Sequence, residues 1–327
     1  MISVSDILQF PCSHDLIHGG IAYALRSLPH QFHRASNSLY ERLRRAVAGA
    51  AIELAFRRYL SEQEIPFEVK SALPFTDRER YDVTLGGRRC EIKSFLISHS
   101  DQVAEIQQSP QVLLNAPALV PSDQHAGDAH SQHDLYLFAF LSGFVTASPA
   151  DLSNVVKAKQ PHYLIHAMPE AWSRPSTWSP LGKLVLKSEA EEGVTVELGG
   201  QDAGREICSC TVELPPRTRI EIQNEFFSLS YVHVRPVPAA RIGIHSPVSK
   251  LTHTIGPLDW GNLWIYGREI WLAGYITRDE FSRRARFIPT GSHVFQYHHT
   301  QVKNLAVPVS ELRPLSELFE RVKLGMR

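Results

Sequence analysis

Apolar residues recur at helical spacing through the segment SLYERLRRAVAGAAIELAFRRYLSE, residues 38–62. The residues that share this spacing are Leu39, Leu43, Val47, Ala50, Ala51 and Leu54. Arginines occupy the other side, so the pattern predicts one long amphipathic helix. Glu53 lies in the small-residue middle of this helix.

Short strand-like runs follow the helix. They are PFEVKSALP (66–74), RYDVTLG (80–86) and RRCEIKSFLIS (88–98). The segment 100–116 has a helical pattern, which Pro117 and Pro121 are expected to close. The apolar run DLYLFAFLSGF, residues 134–144, then predicts a buried strand.

The pattern changes at residue 146. Alternating segments punctuated by Gly and Pro predict an antiparallel β-rich domain over 146–257. We interpret it as an insertion between a first part of the main domain, 1–145, and its completion, 258–327.

The completing segment mixes strand and helix signals. REIWLAGYITRDEF predicts a strand that enters a helix, and SRRARFIP is expected to continue that helix. Residues 303–323 predict a strand and a terminal helix capped at Ser310 or Ser316. The fold class is therefore α/β, with a mixed central sheet flanked by helices and an inserted antiparallel β-rich domain.

Composition limits the possible functions. The chain of 327 residues has 34 Lys and Arg and 34 Asp and Glu, so no global field steers it toward nucleic acid or an anionic membrane. Any site for a polyanion must then be local. No apolar run approaches a membrane span, and the N-terminus lacks the pattern of a secretory signal. The four cysteines show neither metal-site nor disulfide spacing, and we expect a cytoplasmic protein.

The stretch RYDVTLGGRRCEIKSF concentrates the candidate chemistry. Its Gly86-Gly87 pair predicts a two-residue β-turn. The register that follows pairs Leu85 with Arg88, Thr84 with Arg89, Val83 with Cys90, and Asp82 with Glu91. Opposed side chains in an antiparallel pair lie about 4.5–5.5 Å apart at Cβ. Lys93, two residues after Glu91, lies on the same side of its strand.

Two opposed carboxylates repel each other unless something positive lies between them. Lys93 supplies part of that charge, and a divalent cation supplies more. Hard oxygen ligands of this type suit Mg²⁺. A surface hairpin with a salt-bridged polar face would give the same pattern. The apolar SFLIS after Lys93, the preceding helix with Glu53 and the buried strand 134–144 favour a site instead.

This order of elements resembles the PD-(D/E)XK nuclease superfamily, which has a restriction-endonuclease-like fold. The matching residues are Glu53 in GAAIELAFRRYL, Asp82 in RYDVTL, and Glu91 and Lys93 in CEIKS. Tyr81 stands where the family's name-giving proline would be. The resemblance covers residues 38–144 and extends to the strand and helix elements after 258.

The resemblance implies metal-dependent phosphodiester hydrolysis. Asp82, Glu91 and the backbone carbonyl of Ile92 would hold Mg²⁺, for which Mn²⁺ can substitute. Lys93 would orient or activate the attacking water and stabilise charge that develops on the phosphate. Glu53 would serve as an outer or second-metal ligand, unless it is a helix glutamate that faces solvent.

Two further residues are candidates for substrate contact. Arg89 lies two residues before Glu91 on the acidic face, where it would reach a phosphate or neutralise the acids. Gln107, on the following helix, would touch substrate or water.

Two side features have structural alternatives. His125, His130 and His133 lie in the polar loop 121–134, but a Gly-containing loop does not fix the geometry of a zinc site. The aromatic residues of the β-rich segment would stack bases or form its core, and the core is favoured. They are Trp172, Trp178, Phe226, Phe227 and Tyr231.

These observations predict a Mg²⁺-dependent nuclease, a DNA endonuclease of a bacterial restriction or anti-phage defence system. The alternative is a nucleic-acid-binding or assembly subunit of a defence or repair complex that cuts little by itself. A third hypothesis is that the β-rich domain binds a small molecule or a protein and gates the nuclease. The expected partners are DNA and either a second copy of the chain or a larger defence complex, with no membrane.

Overall fold

The computed structural model describes residues 2–30, 38–69, 82–127 and 131–325. Its α-helices are α1 (His14–Ser27), α2 (Leu39–Glu62), α3 (Ser100–Gln108), α4 (Val112–Asn115), α5 (Ser122–His125), α6 (Pro149–Lys157), α7 (Glu170–Ser173), α8 (Arg278–Arg284) and α9 (Leu315–Lys323). Within the described ranges, no helix combines the length and the apolar character needed to traverse a lipid bilayer.

The strands alternate with these helices along the first and last parts of the chain. They are β1 (Leu8–Pro11), β2 (Phe67–Glu68), β3 (Val83–Leu85), β4 (Arg88–Ile97), β5 (Pro117–Pro121), β6 (Leu135–Val145), β7 (Leu164–Ala167), β8 (Val185–Ser188), β9 (Val194–Gln201), β10 (Ile207–Leu214), β11 (Arg219–Glu221), β12 (Ser228–Arg235), β13 (Ile242–His245), β14 (Thr252–Ile255), β15 (Gly261–Asn262), β16 (Ile265–Thr277), β17 (Arg286–Ile288) and β18 (Asn304–Pro308). The fold is mixed α/β with several sheets, as the sequence pattern predicts at that level.

The central sheet has six strands in the order β1-β16-β6-β4-β3-β2. Strands β4 and β6 are parallel, and the other neighbours are antiparallel. A parallel pair needs a long crossover, and residues 98–134 provide it with α3, α4, β5 and α5. The sheet therefore combines a β2-β3-β4 meander with a crossover to β6.

A separate hydrophobic core covers each face of the central sheet. On one face α1, α2 and α9 pack against Cys90 and Ile92 of β4. On the other face α3, α4, β5 and β18 pack against Phe95 and Ile97 of the same strand. Because side chains alternate along a strand, Glu91 and Lys93 belong to the second face.

Helix α2 confirms the predicted long helix, but its arginines do not all lie on an exposed side as predicted, because Arg44 is buried. It begins after Ser38, whose side-chain oxygen accepts a hydrogen bond from the Glu41 backbone N–H at 3.2 Å. Leu43, Val47 and the alanines at 50 and 51 are buried, but Leu54 is 37% exposed. The buried residues nearest to Leu54 are instead Ile52, Ala55 and Phe56.

Several predicted elements differ from the observed ones. Residues 100–116 form two helices broken by Pro110, and Pro117–Pro121 form strand β5 rather than a helix end. The helix that begins at Arg278 stops at Arg284, because Arg286–Ile288 pair with β18 in a small sheet of order β17-β18-β5. The N-cap of α9 is Pro314, not Ser310 or Ser316. Most of the predicted strand 66–74 lies outside the described residues, as does Tyr81.

The β-rich segment forms two antiparallel sheets, β10-β9-β12-β7-β15 and β11-β8-β13-β14, around a core of its own. It leaves the central sheet at Val145 and returns at Ile265, which are paired residues on β6 and β16. We call residues 146–264 the β module. Trp172, Phe226 and Tyr231 are buried, so these three aromatic side chains serve packing.

Helices α1 and α2 touch so closely that one position tolerates only glycine. A Cβ atom at Gly20 would lie 2.4 Å from the backbone carbonyl oxygen of Val47. A backbone oxygen cannot rotate away, so any side chain there must separate the two helices.

We expect Gly20→Ala to lower the free energy of unfolding by about 1–3 kcal/mol, measured by urea denaturation. Gly204→Ala is the control, because its added Cβ would have no neighbour closer than 3.4 Å. Equal stabilities of the two variants would contradict the close helix contact.

Candidate active site

The hairpin between β3 and β4 forms as predicted. Gly86 and Gly87 have φ values of 55° and 73°, the left-handed conformation that a tight hairpin turn of this kind requires at both positions. Three of the predicted pairs are present: Leu85 with Arg88, Thr84 with Arg89, and Val83 with Cys90.

The fourth predicted pair, Asp82 with Glu91, is not part of the ladder. The Asp82 N–H donates at 3.2 Å to the carbonyl of Cys90, which is already the ladder partner of Val83. Two residues of one strand thus face one residue of the other, as in a β-bulge. The Asp82 carboxylate instead accepts a hydrogen bond from the Ile92 backbone N–H at 2.6 Å.

Lys93 is the buried centre of the site. Its side chain is 7% exposed, and its Nζ forms an ion pair with Glu91. The same Nζ donates to Oε1 of Gln124 at 2.9 Å and lies 5.4 Å from the centre of the Tyr136 ring. A buried ammonium requires such partners, because its transfer out of water is otherwise very costly. We call Glu91, Lys93, Gln124 and Tyr136 the lysine cluster.

The crossover supplies two members of the cluster that sequence reasoning missed. Gln124 lies on α5, in the loop that was considered only for its histidines. Tyr136 lies on β6 directly beside Glu91 in the parallel ladder. Only a residue-level register for β4 and β6 would have found Tyr136, and parallel strands far apart in sequence give no local signal for it.

His125 extends the cluster toward α8. Its Nδ1 lies 3.1 Å from the Tyr136 hydroxyl, and its Nε2 lies 2.9 Å from the Ser282 hydroxyl. Both ring nitrogens therefore face hydroxyl groups. His130 lies outside the described residues, and His133 is exposed.

Three acidic residues surround the base of the hairpin. Burial raises the pKa of the Cys90 thiol well above its usual value, and the charges of Asp82, Glu91 and Asp134 raise it further. Asp134, which the sequence reasoning did not single out, is buried just before β6. Its carboxylate accepts from the Ser131 backbone N–H at 2.8 Å. Asp82 and Glu91 thus lie in one acidic environment although they are not ladder partners.

Glu53 meets the site through an arginine. Glu53 and Arg57 form an ion pair along α2, and Arg57 Nη2 donates to the Asp82 backbone carbonyl at 3.0 Å. Helix α2 packs on the face of β4 opposite to Lys93. The structure therefore brings Glu53 to the Asp82 end of the hairpin, with Arg57 between the two.

The two predicted substrate contacts lie in different places. Arg89 is half-buried beside Thr84 in the hairpin, close to the acids in sequence. Gln107 accepts a hydrogen bond from Arg268 at 3.3 Å, beside the part of β16 that pairs with Ser142. Ser142 is aligned with Ile97, six residues beyond Glu91, which corresponds to about 20 Å along the strand. The structure does not bring Gln107 to the lysine cluster.

Asp82, Glu91 and the Ile92 carbonyl fit a magnesium ion in their chemistry. All three offer oxygen, the ligand atom that Mg²⁺ prefers. The Cys90 carbonyl points toward β3, so the Ile92 carbonyl, two residues on, points toward the same edge and Asp82. Across the described part of the chain, no group of three or more His, Cys, Asp and Glu side chains is placed to hold an ion. The fit therefore rests on two carboxylates and one carbonyl.

Known proteins add no guide to these residues: no family model, no curated protein and no solved structure matches the chain. The roles proposed below therefore rest on the geometry of its own side chains.

Lys93→Met should destabilise the protein, because it leaves the Glu91 carboxylate without its cation. Breaking a buried ion pair costs about 3–5 kcal/mol, and we expect the lower end because Glu91 is 26% exposed. Urea denaturation measures the loss. Adding Glu91→Gln to Lys93→Met should restore part of it.

Lys187→Met is the matched control, because its ion pair with Glu189 is exposed on both sides and worth about 0–1 kcal/mol. A loss at Lys93 no larger than at Lys187 would show that the ammonium is not a buried, paired group.

Proposed function

We propose that this protein is a Mg²⁺-dependent nuclease that hydrolyses phosphodiester bonds in DNA. One observation carries the proposal: a buried lysine, a glutamate two residues before it and an aspartate held on the intervening backbone meet at the end of one hairpin. A structural hairpin has no need of this set, because apolar residues would pack there at lower cost.

The topology around the hairpin supports the same function. Helix α2 precedes a β2-β3-β4 meander, and α3 leads to β6, which joins the sheet parallel to β4. This is the order of elements on which the resemblance to the PD-(D/E)XK nucleases is based. Asp82 lies immediately before the middle strand, and Glu91 and Lys93 lie on the strand that follows.

Asp82, Glu91 and the Ile92 carbonyl are the residues that would hold Mg²⁺. When bound, the ion supplies a water with a lowered pKa and positive charge toward a phosphate. The Ile92 N–H fixes one oxygen of Asp82 by its hydrogen bond. The ion pair with Lys93 fixes one oxygen of Glu91. These contacts orient both carboxylates before any ligand arrives, which favours binding.

Lys93 would orient the attacking water or stabilise the developing charge on a phosphate oxygen. Its Nζ donates hydrogen bonds to Glu91 and Gln124. These two bonds fix the position of the ammonium, although the lysine stem by itself is flexible. Fixed donors of this kind stabilise a transition state because they need no reorganisation during the reaction. Gln124 is thus a positioning residue for Lys93.

Arg57 gives Glu53 a role that differs from direct metal binding. By joining the Glu53 carboxylate to the Asp82 carbonyl, Arg57 anchors the hairpin end to α2. We propose that Glu53 acts on the site through this arginine, and that Arg89 contacts a substrate phosphate.

We expect the wild-type protein to nick plasmid DNA with Mg²⁺ or Mn²⁺. Glu91→Gln and Lys93→Met should each reduce the rate by about 10²–10³-fold, the usual effect of removing one fixed electrostatic group. Circular dichroism at the assay temperature checks that each variant is folded, and Lys187→Met should cleave normally. Wild-type protein that binds DNA but cuts none with either ion would instead indicate a binding or assembly subunit.

A second test isolates the ion from the chemistry. Mg²⁺ should raise the melting temperature of the wild-type protein, because a ligand of the native state stabilises it. Asp82→Asn should abolish this shift, since the amide loses the negative charge that the ion needs.

Asp279→Asn serves as the control for Asp82→Asn, because Asp279 is an exposed carboxylate paired with Arg283 on α8. It should keep the full Mg²⁺ shift. A shift that persists in Asp82→Asn would remove Asp82 from the proposed ligands.

A further inference from the structure

A cavity lies at the opposite end of β4 from the lysine cluster. It has a volume of about 490 Å³, within the usual range of about 300–1,000 Å³ for small-molecule sites. Its walls come from α2, from Leu96 near the end of β4 and Ser98 just after it, and from the segment 296–301. We call it the basic cleft.

Arg44 places a buried positive charge on the wall of the basic cleft. Its side chain is 6% exposed, and its Nη1 donates to the Asn262 backbone carbonyl at 3.0 Å. Burial lowers the pKa of Arg44, and the nearby charge of Glu41 partly opposes that effect. Within the described ranges Arg44 forms no ion pair. Because the partner shown for this buried guanidinium is a neutral carbonyl, binding of an anion beside it would be favourable.

Further hydrogen-bond donors lie around the same cavity. The Arg45 guanidinium stacks over the Tyr297 ring, 5.1 Å from its centre, and in the described part of the chain it also lacks an ion pair. The rings of His99 and His298 meet edge to face at 5.5 Å. Glu41 is the one carboxylate that lines the cavity among the described residues, so two guanidinium groups face one acid.

Gln296 adds an acceptor that has no hydrogen-bond partner among the described residues. Its side chain is 4% exposed, and its Nε2 donates to the Pro117 backbone carbonyl. This hydrogen bond fixes the orientation of the amide, because an oxygen in that place could not donate. The amide oxygen Oε1 is buried without a hydrogen-bond partner among the described residues. A buried acceptor left unpaired is costly, so a ligand that brings an N–H or O–H group would be favoured there.

The basic cleft is separate from the lysine cluster. Leu96 lies five residues beyond Glu91 on β4, about 17 Å along the strand. Arg45 lies eight residues before Glu53 on α2, about 12 Å along the helix. One small ligand therefore cannot occupy both places.

We propose that the basic cleft binds the phosphate group of a nucleotide, with Arg44 and Arg45 on the phosphate and Gln296 accepting from a sugar hydroxyl or base amine. The guanidinium groups match the charge and the planar geometry of phosphate recognition. The unpaired amide oxygen selects a ligand with a donor beside the phosphate over inorganic phosphate alone. This proposal does not rest on the nuclease function, since binding in the cleft requires no cleavage.

Calorimetry on the wild-type protein in EDTA, where Mg²⁺-dependent cleavage cannot occur, tests the proposal with AMP, adenosine and inorganic phosphate. AMP should bind at least tenfold more tightly than either of the other two. Arg45→Met, which keeps an unbranched side chain but removes the guanidinium, should weaken AMP binding at least tenfold. His298→Gln, an exposed change that leaves the fold intact, should weaken it by a smaller factor.

Arg58→Met is the matched control, because Arg58 lies on the same helix and pairs with exposed Asp15. It should bind AMP as the parent does. A 5′-phosphorylated hexanucleotide, compared with its unphosphorylated form, separates the two sources of the phosphate. If the phosphorylated hexanucleotide binds more tightly than AMP, the ligand of the cleft is a strand end. If it binds more weakly than AMP, the ligand is a free nucleotide.

The proposal is overturned if neither AMP nor the phosphorylated hexanucleotide binds at millimolar concentration. It is also overturned if Arg45→Met and Arg58→Met have the same effect on binding. If the wild-type protein binds AMP but does not cleave DNA with Mg²⁺, the proposed ligand of the basic cleft stands and only the nuclease proposal is rejected.

Discussion

The rest of the site depends on the need of one buried ammonium for partners. Lys93 is almost fully removed from water, and such a charge is tolerated only with close, well-oriented counter-groups. Its partners come from three elements: Glu91 on β4, Gln124 on α5 and the ring of Tyr136 on β6. The hydrogen bond to Gln124 holds α5 of the crossover against the sheet. His125, the next residue on α5, in turn contacts the hydroxyl of Ser282 on α8.

The same region shows how two negative charges are kept close in one fold. The Asp82 carboxylate is stabilised by a backbone N–H, and the Glu91 carboxylate by an ammonium. Each negative charge therefore has a partner of its own, which offsets the repulsion between the two. The bulge at the end of β3 makes this possible, because it turns Asp82 away from the ladder position that would oppose Glu91. The hydrogen bond from the Ile92 N–H replaces the direct pairing and orients the Asp82 carboxylate.

The elements closest to the candidate site were also the most predictable from sequence. Helix α2 and the β3-β4 hairpin follow from local signals, a 3.6-residue repeat and a Gly-Gly turn, and both signals survive in the fold. The bulge at Asp82 was missed because a register counted from the turn assumes an unbroken ladder. Tyr136 was missed because it reaches Lys93 through the β4-β6 pairing, which joins residues more than forty positions apart, and Gln124 because it reaches Lys93 only through the folded crossover. The strand at Arg286–Ile288 was read as helix, because its partner β18 is also distant in sequence.

The position of the β module has a consequence for how such a chain can change. Val145 and Ile265 are neighbours across two paired strands, so the module occupies the place where a simple antiparallel hairpin would have its turn. Closing a long segment at a preformed pair of strands adds little entropy cost for each further residue, and this segment carries a core of its own. The central sheet therefore provides an insertion point: the module can change in length there while Val145 and Ile265 stay paired, as long as Tyr163, Ile165 and Tyr231 still pack against α1 and α2.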